Sequence, residues 1–246
     1  MPTIYLSPST QDQNFYVTGG TEEYYMNLLA DAMVPYLVSN GIRYVRNTPD
    51  MTAGSSIRQA NEGWYDFYLA LHSNAAGAGN YGGVRGTIAF YYPGSVNGHR
   101  AADLFVENLK RIYPLPDRVT AQPTTTLGEV ARSRAPAVLI EIAYHDNRED
   151  ALWIISQMEL IAQNLVLSLT EYFGLPFVFP VDPVEGRVAV GYGNLNLRSR
   201  PQTDAPVVAA IPNGAAVQIY GQWQGWYVVH YGDAVGYAVG EFIRIL

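Results

Sequence analysis

The chain has 246 residues, of which 48% are hydrophobic, and it carries 15 Lys and Arg against 22 Asp and Glu, a formal net charge of −7. This length and composition predict a packed domain with room for a smaller second module, while the acidic balance argues against nucleic acid as a partner. The absence of cysteine excludes disulfides and thiolate metal sites.

The chain shows no signal for membrane insertion or export. No apolar run reaches the roughly 18 residues that a membrane span needs. The first residues, MPTIYLSPS, lack the basic and apolar regions of a signal peptide. We therefore expect neither a membrane span nor an export signal.

Residues 1–174 alternate between β-rich runs and helical stretches. Strands are predicted at 4–6, 42–45, 65–71, 86–92 and 137–142, and helices at 22–39, 99–113 and 148–173. This alternation predicts an α/β domain, in which a mixed or parallel sheet is covered by helices on both faces.

The first predicted helix carries a carboxylate on the face that we expect to pack against the sheet. Thr21 can cap its start, and Met26, Ala30 and Met33 recur at the helical spacing. Glu23 lies three residues before Met26 and so falls on the same apolar stripe. We expect its side chain to face the sheet, although the helix dipole alone also explains an acidic residue in a first turn.

Two further polar residues interrupt predicted strands near their carboxyl ends. The stretch YLALHSNAA is apolar through Leu71 and stops at His72, and Glu141 sits in the apolar run PAVLIEIAY. Ligands of such sheets bind beyond the carboxyl ends of the strands. Glu23, His72 and Glu141 are therefore expected to converge, and zinc suits a mixed imidazole and carboxylate site.

The last part of the chain differs in character from residues 1–174. Residues 175–186 contain three prolines and predict a semi-rigid linker. Residues 187–246 consist of short β-rich runs separated by turn sequences such as PNG, which predict a small all-β barrel.

Several motifs resemble known families. EEYYMNL, VRNTPD, RQAN, LHSNA and PAVLIEIAYHDN occur in the order found in the zinc-dependent N-acetylmuramoyl-L-alanine amidases, which hydrolyse bacterial cell walls. This resemblance covers residues 1–174. The stretches LNLRSRPQTDAPVVAAIPNGAAVQI and GWYVVHYGDAVGYAVGEFI resemble bacterial SH3-like domains, which are commonly wall-targeting modules.

The resemblance implies a reaction and a set of site residues. It implies cleavage of the amide between N-acetylmuramic acid and the L-alanine of the stem peptide of peptidoglycan. Glu23 and His72 occupy zinc-ligand positions, and Glu141 occupies the position of the glutamate that activates the zinc-bound water. Without the resemblance, the favoured interpretation of Glu141 is a structural carboxylate paired with Arg58 or Arg132.

One position departs from the amidase pattern, because the histidine expected after the first strand is absent from IYLSPSTQDQN. Three alternatives stay open: another side chain replaces it, a weak oxygen ligand replaces it, or the site holds no metal. His145 is the third ligand in the first alternative, although it can also be a loop residue that caps the following helix. The candidate oxygen ligands are Gln11, Gln13 and Asn14.

The SH3-like module implies binding to the wall through aromatic side chains. The candidate contacts are Tyr192, Trp223, Trp226 and Tyr237, of which Trp226 and Tyr237 can instead belong to the core of the barrel.

Two other functions stay open, a wall-binding protein with an inactive first domain and a zinc peptidase of the stem peptide. The implied site of action is the bacterial cell wall or the space outside the cell. Without an export signal, the chain fits a phage lysin, a mother-cell hydrolase or a protein trimmed of its leader.

Overall fold

The computed structural model describes all 246 residues, and the chain divides into two compact units. The large unit comprises Thr3–Val34 and Tyr44–Tyr172, and the small unit comprises Met1–Pro2, Pro35–Arg43 and Phe173–Leu246.

The large unit is built on a six-stranded mixed sheet. Its strands are β1 (Thr3–Pro8), β2 (Arg43–Arg46), β3 (Phe67–Asn74), β4 (Thr87–Tyr91), β5 (Val119–Pro123) and β6 (Ala137–Tyr144), in the order β2-β1-β3-β6-β4-β5. Strands β1, β3 and β6 are parallel, β4 runs antiparallel to β6, and β5 is parallel to β4. The predicted mixed sheet is therefore confirmed.

Helices cover both faces of this sheet, as predicted. The helices are α1 (Glu22–Ser39), α2 (Ala53–Glu62), α3 (Val96–Leu109), α4 (Gly128–Ala131), α5 (Arg148–Ser156) and α6 (Met158–Phe173). On one face, Tyr5 and Tyr68 of the sheet pack with Val130 of α4 in a buried cluster. On the other face, the ring of Phe67 lies 6.2 Å from that of Phe105 in α3.

The register of the central strands places two predicted site residues side by side. His72 on β3 pairs directly with Glu141 on β6, and the ladder shifts register immediately afterwards, so that Asn74 pairs with Tyr144. Because side chains alternate along a strand, His72 and Glu141 point to the face that also carries Tyr68. This is the face covered by α2 and α4.

Several element boundaries differ from the sequence prediction. Strand β3 continues to Asn74, so His72 lies within the strand rather than after it. The helix predicted at 148–173 is two helices, α5 and α6, which meet at an angle of 76°. Helix α3 begins at Val96, because Ser95 caps it by accepting a hydrogen bond from the Gly98 N–H.

Three short or polar elements were not predicted at all. They are α2, α4 and β5.

No single helix has the length and hydropathy of a membrane span, and α5 and α6 satisfy that test only when they are taken together across their bend.

The small unit contains a seven-stranded antiparallel sheet, as expected for the all-β module. Its strands are β7 (Val184–Val188), β8 (Asn194–Arg198), β9 (Val207–Pro212), β10 (Ala216–Trp223), β11 (Trp226–Tyr231), β12 (Ala234–Val239) and β13 (Ile243–Ile245), in the order β13-β7-β10-β11-β12-β8-β9. Leu197, Ile211 and Val229 lie in its core. Strand β7 begins inside the stretch predicted as a linker, because Val184 and Gly186 pair with β10.

Candidate functional site

A cavity of about 420 Å³ opens at the carboxyl ends of β1, β3 and β6. Its lining includes Pro8 at the end of β1, His72 on β3, Glu141 on β6 and Glu129 on α4. The cavity therefore lies where a sheet of this topology is expected to bind a ligand.

His72 is the centre of the polar cluster in this cavity. Its Nδ1 lies 2.8 Å from Oε1 of Glu22, and its Nε2 lies 2.9 Å from Oε2 of Glu129. All three side chains are buried. The imidazole is thus held between two carboxylates, one at each ring nitrogen.

Glu22 is the first residue of α1, and the start of this helix places its side chain beside His72. Asn14 Nδ2 donates to Oε2 of Glu22 at 2.6 Å. The side-chain amide nitrogen of Gln11 lies 3.3 Å from His72 Nδ1 and 3.5 Å from Glu22 Oε1. Gln11 and Glu22 therefore meet on the Nδ1 side of the imidazole.

Glu129 is fixed from the opposite side of the imidazole. The hydroxyl groups of Ser7 and Tyr68 donate to its Oε1 at 2.6 and 2.8 Å. These donors come from β1 and β3, and Glu129 itself comes from α4. Three separate elements therefore determine where its carboxylate lies.

Glu141 lines the same cavity but is not paired. Its Oε2 is buried and has no hydrogen-bond partner, and neither Arg58 nor Arg132 forms an ion pair with it. Burial raises the pKa of Glu141 from 4.5 to about 7. A carboxyl group with these properties can take up and release a proton near neutral pH.

The charges of the cluster are set by its hydrogen bonds. Burial lowers the pKa of His72, but hydrogen bonds to Glu129 and Glu22 outweigh it and hold that pKa well above 6.5. Burial raises the pKa values of both partner carboxyls, but the hydrogen bonds from His72 outweigh it and hold them below 4.5. In the absence of a metal, the cluster is an imidazolium between two carboxylates at neutral pH.

The structure brings Glu22, rather than the predicted Glu23, to His72. Glu22 is 1% exposed, whereas Glu23 is partly exposed and its described hydrogen bonds are made by its backbone, with Gln11 and Asn27. The apolar stripe of α1 is compatible with both positions, because Glu22 lies four residues before Met26 and Glu23 three.

His145 forms no described hydrogen bond with His72, Glu22 or Glu129. Its Nδ1 is 2.8 Å from the backbone oxygen of Ser73, to which it donates, and its ring stacks on Tyr16 at 5.3 Å. The cap of α5 is supplied by Asn147, not by His145. The structure therefore gives His145 a hydrogen-bonding position in the loop after β6, outside the lining of the cavity that contains His72.

Glu129 was missed because it lies in a four-residue helix that shows no apolar period. Glu22 was passed over for its neighbour, and Gln11 was only one of three candidate oxygen ligands. The sequence signal that favours Gln11 is its position, because it stands near the point where the amidase pattern has a histidine.

The aromatic residues proposed as wall contacts differ in exposure. Tyr192 is 94% exposed, Trp223 is 36% exposed and Trp226 is partly buried. Tyr237 is 0% exposed, so its proposed role as a wall contact is wrong and it belongs to the core of the small unit.

Fold and site together define a class of protein, an α/β domain with an unpaired carboxylate beside a buried imidazole at the strand ends of its sheet. The family model described as N-acetylmuramoyl-L-alanine amidase matches residues 9–171, and the bacterial SH3 domain model matches residues 193–244. The chain belongs to the N-acetylmuramoyl-L-alanine amidase family and carries a bacterial SH3 domain. It is a peptidoglycan amidase, and members of this family are generally zinc-dependent.

Solved structures show the same fold in the large unit. AmiC2 of Nostoc punctiforme, an N-acetylmuramoyl-L-alanine amidase, is 14% identical, with a TM-score of 0.62 over 70% of this chain and 97% of that one. An amidase from Clostridium difficile 630 is 17% identical, with a TM-score of 0.62 over 70% and 97%. The catalytic domain of CwlV from Bacillus (Paenibacillus) polymyxa is 15% identical, with a TM-score of 0.61 over 71% and 99%. No curated protein matches the sequence.

The residues of the cluster allow a test of whether zinc fits. No three His, Cys, Asp or Glu side chains converge as a metal site. However, His72 Nδ1, Glu22 Oε1 and the Gln11 amide are separated by 2.8, 3.3 and 3.5 Å. Ligand atoms of a tetrahedral zinc lie about 3.3 Å apart. A half-turn of the Gln11 amide, which gives up the hydrogen bond that its oxygen accepts from Asn14 Nδ2 at 3.1 Å, brings its carbonyl oxygen to this point. The imidazole of His72 and the carboxylate of Glu22 then fit zinc, with the amide oxygen as a weaker third donor.

Proposed function

We propose that the chain cleaves the amide bond between N-acetylmuramic acid and L-alanine at the cavity that contains His72 and Glu141. The observation that carries this proposal is the buried, unpaired Oε2 of Glu141, which lies on the neighbouring strand directly beside His72. Family membership supplies the substrate class, and the geometry supplies the roles of the residues.

In this proposal zinc is held by Gln11, Glu22 and His72. When bound, it supplies Lewis acidity at the scissile amide and lowers the pKa of water. Glu22 and His72 are well-suited ligands, whereas an amide oxygen is a weaker one. We therefore expect this chain to hold zinc less tightly than a site with two histidines.

Glu141 carries the proton in this reaction. Its unpaired oxygen accepts a proton from the attacking water, and the same oxygen delivers that proton to the departing amino group of L-alanine. A pKa of about 7 matches both steps, since the group is neither fully protonated nor fully ionised at neutral pH.

Replacement of Glu141 tests this role. Glu141→Gln removes the proton acceptor but keeps the size of the side chain, so we expect the rate of peptide release from purified peptidoglycan to fall by about 100-fold or more. Zinc content, measured by elemental mass spectrometry, should stay the same. Glu62→Gln, an exposed change on α2, is the matched control.

The products of the same assay identify the bond that is cut. Mass spectrometry should find stem peptides with a free L-alanine amino group, whereas a peptidase creates a new terminus further along the stem. Release by Glu141→Gln at the wild-type rate contradicts the role of Glu141. Wall binding by the wild type with no release at all would support an inactive, wall-binding domain instead.

We further propose that residues 187–246 form the wall-targeting module and that residues 1–174 form the catalytic domain. A cavity of about 390 Å³ in the small unit supports this, because its lining includes Tyr192, Arg198 and Phe242. An exposed aromatic ring beside a cation suits a sugar or peptide ligand.

A further inference from the structure

Glu129 contacts the side of His72 opposite to the Gln11 and Glu22 side chains. Its Oε2 lies 2.9 Å from His72 Nε2, whereas Glu22 Oε1 lies 2.8 Å from Nδ1. We propose that Glu129 is a positioning residue, which keeps a proton on Nε2 of His72 and thereby directs the Nδ1 lone pair at the metal. This inference rests on the proposed function, because it requires His72 to be a zinc ligand.

The chemistry of the contact determines where the proton lies. An ionised carboxylate accepts hydrogen bonds and donates none, so His72 Nε2 must donate to Glu129. Without zinc, both ring nitrogens donate to a carboxylate, but a zinc ligand must be a neutral imidazole with one proton; when that proton stays on Nε2, only Nδ1 has a free lone pair. Nδ1 is the nitrogen that faces Glu22 and Gln11.

Glu129 is itself held in place, which a positioning role requires. Ser7 and Tyr68 both donate to its Oε1, and Asn47 Nδ2 donates to Ser7 Oγ at 3.3 Å. The carboxylate therefore cannot rotate away from His72 without breaking two buried hydrogen bonds. Carboxylates that hold the second nitrogen of a metal-bound histidine typically contribute about 10- to 100-fold to metal affinity.

The isosteric change Glu129→Gln tests the inference. The amide oxygen can still accept from Ser7 and Tyr68, but the amide N–H group then faces His72 Nε2 and favours the tautomer with its proton on Nδ1. We expect the dissociation constant for zinc, measured by competition with a chromophoric chelator, to rise about 10- to 100-fold. The control Glu62→Gln should bind zinc like the wild type.

Thermal unfolding of Glu129→Gln shows whether the variant is folded. A folded Glu129→Gln protein with wild-type zinc affinity overturns the inference and leaves Glu129 as a structural acceptor. Failure of the proposed zinc centre looks different, because the wild type itself then binds no zinc, and that result overturns both proposals.

A second measurement uses the wild-type protein, and it tests the inference even if Glu129→Gln does not fold. In zinc-loaded wild-type protein labelled with ¹⁵N-histidine, NMR should show a slowly exchanging proton on Nε2 of His72 and none on Nδ1. A proton on Nδ1 of His72 in that spectrum overturns the inference.

Discussion

At the scale of single residues, the site depends on which polar groups are paired. His72, Glu22 and Glu129 satisfy one another, whereas Glu141 keeps a buried oxygen without a partner. A buried polar atom without a hydrogen bond lowers the stability of the fold. Its presence beside His72 is therefore better explained by chemistry than by packing.

The raised pKa of Glu141 makes stability depend on pH. Burial raises this pKa from 4.5 to about 7, so between these values the folded protein keeps a proton that the unfolded chain has lost. Stability should therefore fall as pH rises through this range, by up to about 3 kcal/mol. Glu141→Gln has no such dependence at this position.

Chemical unfolding of the zinc-free proteins measures this effect. The gain in stability of Glu141→Gln over the wild type should be larger at about pH 8 than at about pH 4. An equal difference at both values means that Glu141 titrates normally in the folded protein.

A change at Gln11 is expected to strengthen the binding of zinc. Gln11→His supplies an imidazole where the amide now faces His72 and Glu22, and imidazole is the better zinc ligand. We expect zinc affinity to rise by about tenfold or more. Gln13→His adds a histidine two residues away and serves as the control. Equal zinc affinity in both variants would place Gln11 outside the metal centre.

At the scale of elements, the sequence predicts the parts of the site that lie on regular structure. His72 and Glu141 interrupt long apolar strands, and such interruptions are visible in the pattern. Glu22 and Glu23 cannot be separated, because both lie on the stripe of α1 and a helix start is defined only to within a residue or two.

The remaining parts of the site lie on elements that carry no periodic signal. Helix α4 is four residues long, so Glu129 has no apolar pattern around it. Helix α2 is polar, and its start depends on a capping box in which Thr52 and Ser55 exchange hydrogen bonds. The zinc centre stays a prediction, since the position of Gln11 depends on a loop.

At the scale of the whole molecule, the fold class and the family were predicted from the sequence and are confirmed. The alternation of strands and helices identifies the α/β unit, and the turn-rich end of the chain identifies the antiparallel unit. The end of the predicted linker, residues 175–186, overlaps β7, which begins at Val184, because the sequence of this strand contains the glycine and acidic residues that are typical of a turn.

The SH3-like module should contribute wall affinity rather than chemistry. Tyr192→Ala removes the most exposed of the candidate aromatic contacts, so we expect weaker sedimentation with purified walls and unchanged release from small soluble muropeptides. Val207→Ala, on β9 of the same unit, is an exposed, non-aromatic control. If Tyr192→Ala sediments like the wild type, the wall contact lies elsewhere.

The pairing of His72 with Glu141 determines which parts of the site can change in sequence and which cannot. The two residues form the last regular rung between two neighbouring parallel strands, so their separation is fixed by backbone hydrogen bonds and not by any loop. The surrounding segments, such as the glycine-rich residues 75–83, can lengthen or change sequence without altering that separation. We therefore expect that changes in these loops can alter which stem peptides are accepted, while His72 and Glu141 stay in place.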